Sequence, residues 1–185
     1  MNIYYTKTAL YAYPHIESLM GQIDDLVLSK ALYSMGDYSP CEEQCQKIVK
    51  LTGQKVALIE LQQMIDKALS ILSDYELDCL DYKYFKIQPK EYFDSVGFDY
   101  ESRKYFRKQN SLVKKVAIKL EKVGMTDEWF VKKCLDTDFF NELLKRVILY
   151  DRQNKSRARK TDTVQEKSQQ IHTVTLEETQ LKKGA

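Results

Sequence analysis

The stretch SDYELDCLDYKYFKIQPKEYFDSVGFDYESRKYFRKQNSLVKKVAIKLEKVG, residues 73–124, decides how this chain reads. It opens on Ser73-Asp74-Tyr75-Glu76, which has the S-x-x-E form of a capping box, so a helix is expected over Tyr75–Phe85. That helix would bury Leu77, Leu80, Tyr84 and Phe85. Lys86–Pro89 breaks it, and Pro89–Ser95 suits a short helix. Gly97 follows where the chain needs a positive φ. A long helix is then expected over 100–123, closed by Gly124.

Two faces separate on that long helix. Tyr105, Gln109, Leu112, Val116, Leu120 and Val123 recur in three- and four-residue steps, and Phe106, Val113 and Ala117 widen the stripe. Arg103, Lys104, Arg107, Lys108, Lys114 and Lys115 fall on its flanks. Residues 98–124 hold eight Lys/Arg against three Asp/Glu. Guanidinium and ammonium groups bond phosphate oxygens and guanine O6/N7, the chemistry that a DNA-reading helix needs.

Short helix, glycine turn, long basic helix is the order of a helix-turn-helix. In that arrangement 89–95 crosses the DNA backbone and Val96-Gly97-Phe98-Asp99 forms the turn, with Phe98 packed inward. Asp99 or Ser102 caps the next helix, whose first turns enter the major groove. The candidate DNA-binding residues are therefore Tyr100, Ser102, Arg103, Lys104, Arg107, Lys108, Lys114 and Lys115. The plain alternative is a surface helix whose lysines are merely solvated. The basic excess begins right after the Gly turn, which favours the DNA reading.

Leu72–Phe85, with its leucine, acidic cap and aromatic-rich end, resembles the opening of region 4 in bacterial sigma-70-type factors. Pro89–Val96 stands where those proteins place the first helix of their helix-turn-helix, and Val96-Gly97-Phe98-Asp99 resembles their "LGIS" turn. Phage and mobile-element transcription regulators of the ArpU/RinA type from Firmicutes share this layout, including an N-terminal helical part resembling 16–72. The resemblance implies a sequence-specific, double-stranded DNA-binding transcription regulator. Two features depart from the pattern. Glu91-Tyr92-Phe93 replaces the usual Glu-Ile-Ala, and Tyr105–Phe106 stand where a small aliphatic residue is usual. No region 2 is recognisable, so promoter melting is not implied.

Working outward, residues 1–35 read as one or two helices interrupted near Pro14, with Ile16, Leu19, Met20, Ile23, Leu26 and Val27 at helical spacing. Ser34–Pro40 reads as a loop in which Ser39 caps the next helix and Pro40 begins it. That helix is expected over 40–72, with Ile48, Leu51, Val56 (or Lys55), Leu58, Leu61, Ile65, Ala68 and Leu72 on one stripe. Antiparallel pairing with the first helix is the simplest arrangement. After Gly124, Thr126 opens a further N-terminus, and two helices are expected over 127–135 and 137–150. From Asp151 the pattern collapses into a polar tail expected to be disordered, with a basic cluster at Lys155, Arg157, Arg159 and Lys160. The expected fold is all-α. It comprises an N-terminal helical hairpin (1–72), a helix-turn-helix part with C-terminal helices (73–150) and the tail (151–185).

Composition supports helices. The 185 residues include only 6 Gly and 3 Pro, too few for turn-rich β architectures. The net charge of +2 is uninformative, but its placement is not. Residues 1–80 carry 6 Lys/Arg against 11 Asp/Glu, and 81–150 carry 15 against 11. No window approaches the ~18–20 apolar residues of a membrane span, and no signal core opens the chain. A cytoplasmic location without membrane attachment, and with reduced thiols, is expected.

Nothing in the sequence matches a catalytic or nucleotide-binding motif, so a non-enzyme without cofactor is expected. Cys41 and Cys45, one helical turn apart, could share a metal. Cys79, Cys134, His15 and His172 supply no paired spacing for a four-ligand site, which makes incidental thiols the default. The competing class is a helical interaction module, such as an RNA polymerase-binding accessory protein with little DNA affinity. A homodimer is compatible with either class.

Overall fold

The computed structural model of the chain describes residues 1–33, 41–97 and 103–154. All regular structure among them is helical. The order is α1 (Ile3–Ala12), a 3-10 turn (Tyr13–His15), α2 (Ile16–Tyr33), α3 (Cys41–Leu69), α4 (Asp74–Leu80) and a π turn (Asp81–Phe85). Next come α5 (Lys90–Ser95), α6 (Arg103–Lys122) and α7 (Asp127–Lys133). A last helix, α8, covers 138–154. The expected loop at Ser34–Pro40, the Phe98–Asp99 half of the turn and the tail from 155 onward lie outside the described residues. The expected start of the tail at Asp151 is corrected, since helix continues to 154; Arg152 and Gln153 are good helix formers. The chain divides into two units, Met1–Leu144 and Lys145–Ala185.

In the first unit, α2 and α3 form the expected antiparallel pair. Tyr13, just before α2, donates to Asp66 near the end of α3 (2.5 Å), while Lys55 further back on α3 reaches Asp24 (2.6 Å). The buried stripe of α3 is Ala57, Leu58, Leu61, Ile65, Ala68 and Leu69. Val56 is exposed, and the first half of the helix contributes nothing fully buried.

Helix α1 departs from the expected hairpin. Pro14 sits in the 3-10 turn, and α1 packs against α6, the π turn and α3 rather than lengthening the arm of α2. Its buried side is made of Thr6, Lys7, Thr8, Ala9, Leu10 and Ala12. Small side chains let helix axes approach closely. The threonine hydroxyls need no outside partner: Thr8 Oγ1 donates to the Tyr4 carbonyl (2.8 Å) and Thr6 Oγ1 to the Asn2 carbonyl (3.3 Å). Tyrosines along α1 reach the other elements. Tyr5 stacks on Phe130 of α7 (5.1 Å between centroids), and Tyr11 meets Tyr84 of the π turn (4.6 Å). The apolar core accordingly takes residues from both sides of the Leu72–Ser73 junction.

The expected helix over Tyr75–Phe85 is α4 followed by an i→i+5 step, in which Lys86 N–H donates to the Asp81 carbonyl (2.7 Å). Lys86 then adopts the left-handed conformation (φ 54°). The buried Asp81 carboxylate stops the helix by accepting from Ile87 N–H and Gln88 N–H, both at 2.9 Å. Gly97 (φ 65°) and Gly124 (φ 105°) end α5 and α6 with the positive φ that glycine tolerates.

Two stability measurements follow from this geometry. Asp81→Ala strands two amide donors in a part-buried turn and should lower stability by about 2 kcal/mol in denaturant unfolding. Gly53 lies inside α3 with open space around its missing Cβ, so Gly53→Ala should raise stability by about 0.5–1 kcal/mol.

Candidate nucleic-acid interface

Helix α6 has a dry face and a wet one. Tyr105, Gln109, Leu112, Val113, Val116, Ala117 and Leu120 are buried, as the spacing predicts. Phe106, expected to widen this stripe, is 56% exposed, and Val123 lies at the margin. Phe106 shares the angular sector of buried Val113 and Ala117 but lies in the first turn of α6, about two turns before Val113. Its edge rests on Tyr105 (5.5 Å).

A polar side chain locks the buried face. Gln109 Nε2 donates to the Cys79 carbonyl of α4, and it also donates to Tyr105 Oη (3.0 Å). Burial pushes the Tyr105 phenol far above its ordinary value, so it stays neutral. Tyr82 packs edge-on against both Phe93 (5.1 Å) and Tyr105 (5.9 Å), tying α5 and α6 to the π turn.

The expected contact residues divide into three groups. Arg107 and Lys114 are exposed, two helical turns apart, and form no ion pair among the described residues. Lys108 and Lys115 are committed to α4. The Lys108 ammonium sits 3.7 Å from the centroid of the Tyr75 ring, a cation–π contact. Lys115 Nζ bonds both carboxylate oxygens of Glu76 at 2.8 Å. Glu76 also accepts from Ser73 N–H (3.1 Å), completing the carboxylate half of the capping box. The third group is undescribed: Tyr100 and Ser102 lie outside the described residues, and for Arg103 and Lys104 only the backbone opening α6 is described.

Asn110 and Ser111 were not selected from the sequence, yet both are exposed between Arg107 and Lys114. Their i+3 and i+4 spacing from Arg107 was the available signal. Both side chains donate and accept, so they complement the cations in a polar face.

Helix α5 acts as a brace. Phe93 is buried, and Tyr92 Oη reaches the Asp78 carboxylate (3.4 Å). The nearby Asp78 charge raises the Tyr92 phenol above its ordinary value, with Asp74 and Asp81 adding to it. Exposed Glu91 and Asp94 outnumber Lys90 on this helix. Electrostatics therefore give no support to α5 as the helix that crosses a phosphate backbone.

The adjacent lysines 114 and 115 should behave differently. Lys115→Ala should cost about 0.5–1 kcal/mol in unfolding experiments at neutral pH, whereas Lys114→Ala should stay within about 0.5 kcal/mol of the parent. The Lys115 bond holds the Glu76 carboxyl below its ordinary value. This contribution is present above the unfolded value of about 4.3 and fades as pH falls through the folded one, so the two variants should converge in acid.

Comparison with models of protein families, with curated proteins and with solved structures finds no match.

Proposed function

We propose that the chain is a sequence-specific, double-stranded DNA-binding transcription regulator that reads its site with the outward face of α6. One observation carries the reading: α6 holds eight Lys/Arg and one Asp/Glu, and its packing aims Arg107 and Lys114 at solvent. A helix of 20 residues is about 30 Å long, and Arg107 and Lys114 are separated by about 10 Å along its axis. Cations so spaced along one rod engage successive phosphates, while Asn110 and Ser111 between them are suited to base edges. Lys108 and Lys115 act differently, fixing the rotation of the helix through Tyr75 and Glu76, with the charge of Lys115 offset by the Glu76 carboxylate. Arg103 and Lys104 extend the basic run toward the N-terminal end, where a recognition helix makes its base contacts.

A second reading, a helical protein-interaction module such as a polymerase-binding accessory protein, is favoured by one observation. Leu28, Leu32 and Val49 of the α2–α3 pair are exposed by 59, 65 and 69%, which suits a protein surface better than a polyanion.

Duplex DNA titrations followed by fluorescence anisotropy separate the two readings. The chain should bind at ~50 mM salt, and its affinity should fall as salt rises. Arg107→Glu with Lys114→Glu should flatten the log–log salt dependence by about two phosphate contacts' worth, about 1.8 units. Circular dichroism should be unchanged. No affinity at low salt, or full affinity in the double variant, sinks the DNA reading.

A further inference from the structure

Cys41 and Cys45 lie one turn apart at the start of α3, and both are exposed, whereas Cys79 and Cys134 are buried. The Cys45 thiol is hydrogen-bonded to the Cys41 side chain, which raises it above its ordinary value. Two exposed thiols therefore meet on one turn at the surface.

Helical geometry restricts what such a pair can do. Cβ atoms four residues apart on a helix are separated by about 5–6 Å, whereas a disulfide needs about 3.5–4.5 Å. Closing a direct S–S bond would require the first turn of α3 to unwind. Inserting one large atom between the sulfurs lengthens the bridge and leaves the helix intact. Among the described residues no group of three or more His, Cys, Asp or Glu could hold a metal ion. The described residues thus assemble no tetrahedral zinc site with four protein ligands at this pair, and an occupant bound by two sulfurs matches what Cys41 and Cys45 offer. Exposed Glu42 and Glu43 on the same turn disfavour an anion.

We propose that Cys41 and Cys45 form a chelating dithiol site for a soft, thiophilic centre of the trivalent-arsenic class. With an organoarsenic(III) oxide, two As–S bonds form and the As–O double bond breaks. The two thiol protons leave with the oxygen as water, and arsenic remains trivalent, so no oxidant is consumed. Two-point attachment within one helical turn gives the second thiol a high effective concentration, which distinguishes this pair from any single exposed cysteine.

The probe is phenylarsine oxide, added to the full chain kept reduced by a phosphine and followed by intact mass and thiol counting. One adduct per chain should form with loss of one water, leaving two thiols titratable after denaturation. Cys41→Ser and Cys45→Ser should each weaken binding about 100-fold, with helicity unchanged, while Cys79→Ser and Cys134→Ser should keep it. An adduct retained by either surface variant, or none on the parent chain, overturns the proposal. So does ready formation of a Cys41–Cys45 disulfide by oxidised glutathione with helicity intact, because Cβ atoms one helical turn apart are too far separated for a direct S–S bond.

Discussion

Everything that presents the outer face of α6 depends on α1 filling the space behind it. That filling works because much of the inward side of α1, at Thr6, Thr8, Ala9 and Ala12, is small and leaves no stranded hydroxyl. Thr6 and Thr8 return their hydroxyl protons to carbonyls of their own helix, so close approach leaves no stranded donor. Bulkier aliphatic residues there would hold α1 away from α6 and open the core around Leu112, Val116 and Leu120. Tyr5 and Tyr11 of α1 and Tyr13 of the turn after it then span outward, joining α7 and the π turn to the same centre.

Rotation about the axis of α6 is fixed separately, by polar contacts to α4 on the margins of the apolar stripe. Gln109 reaches a main-chain carbonyl on the buried side, and Lys108 and Lys115 reach Tyr75 and Glu76 nearer the solvent. Apolar stripes tolerate small rotations, whereas directional contacts do not. Four of the basic residues in α6 have described side chains and were singled out from the sequence. Two of these hold the helix in place and two face outward, so the basic run serves two physical ends at once.

Features set by local chemistry were legible in the sequence. The Ser73–Glu76 capping box, the Thr126 cap, the positive φ of Gly97 and the helix end at Gly124 each depend on a few neighbouring residues. The inner stripe of α6 was legible too, since a 3.6-residue period survives any choice of partner helix. The burial of α1 was not, because Thr, Ala and Tyr make no apolar stripe and their suitability shows only against a facing helix. Pairing of Lys115 with Glu76, 39 positions apart, is likewise invisible to a linear reading, and so is the outward turn of Phe106. For the candidate site this means that its side of the helix could be read in advance. The division of its cations between structure and solvent could not.

Helix α3 is continuous over its 29 residues, yet its two halves differ in what holds them. From Ala57 onward it shares the common core, whereas residues 41–56 bury no side chain fully and make surface ion pairs from Lys50 and Lys55. Opening the core half exposes apolar surface from four helices at once, but opening the other half exposes little. The hydrogen-bonded ladder is thus one structure with two local stabilities. Amide exchange in its first half reports local fraying, while exchange in its second half reports unfolding of the whole first unit.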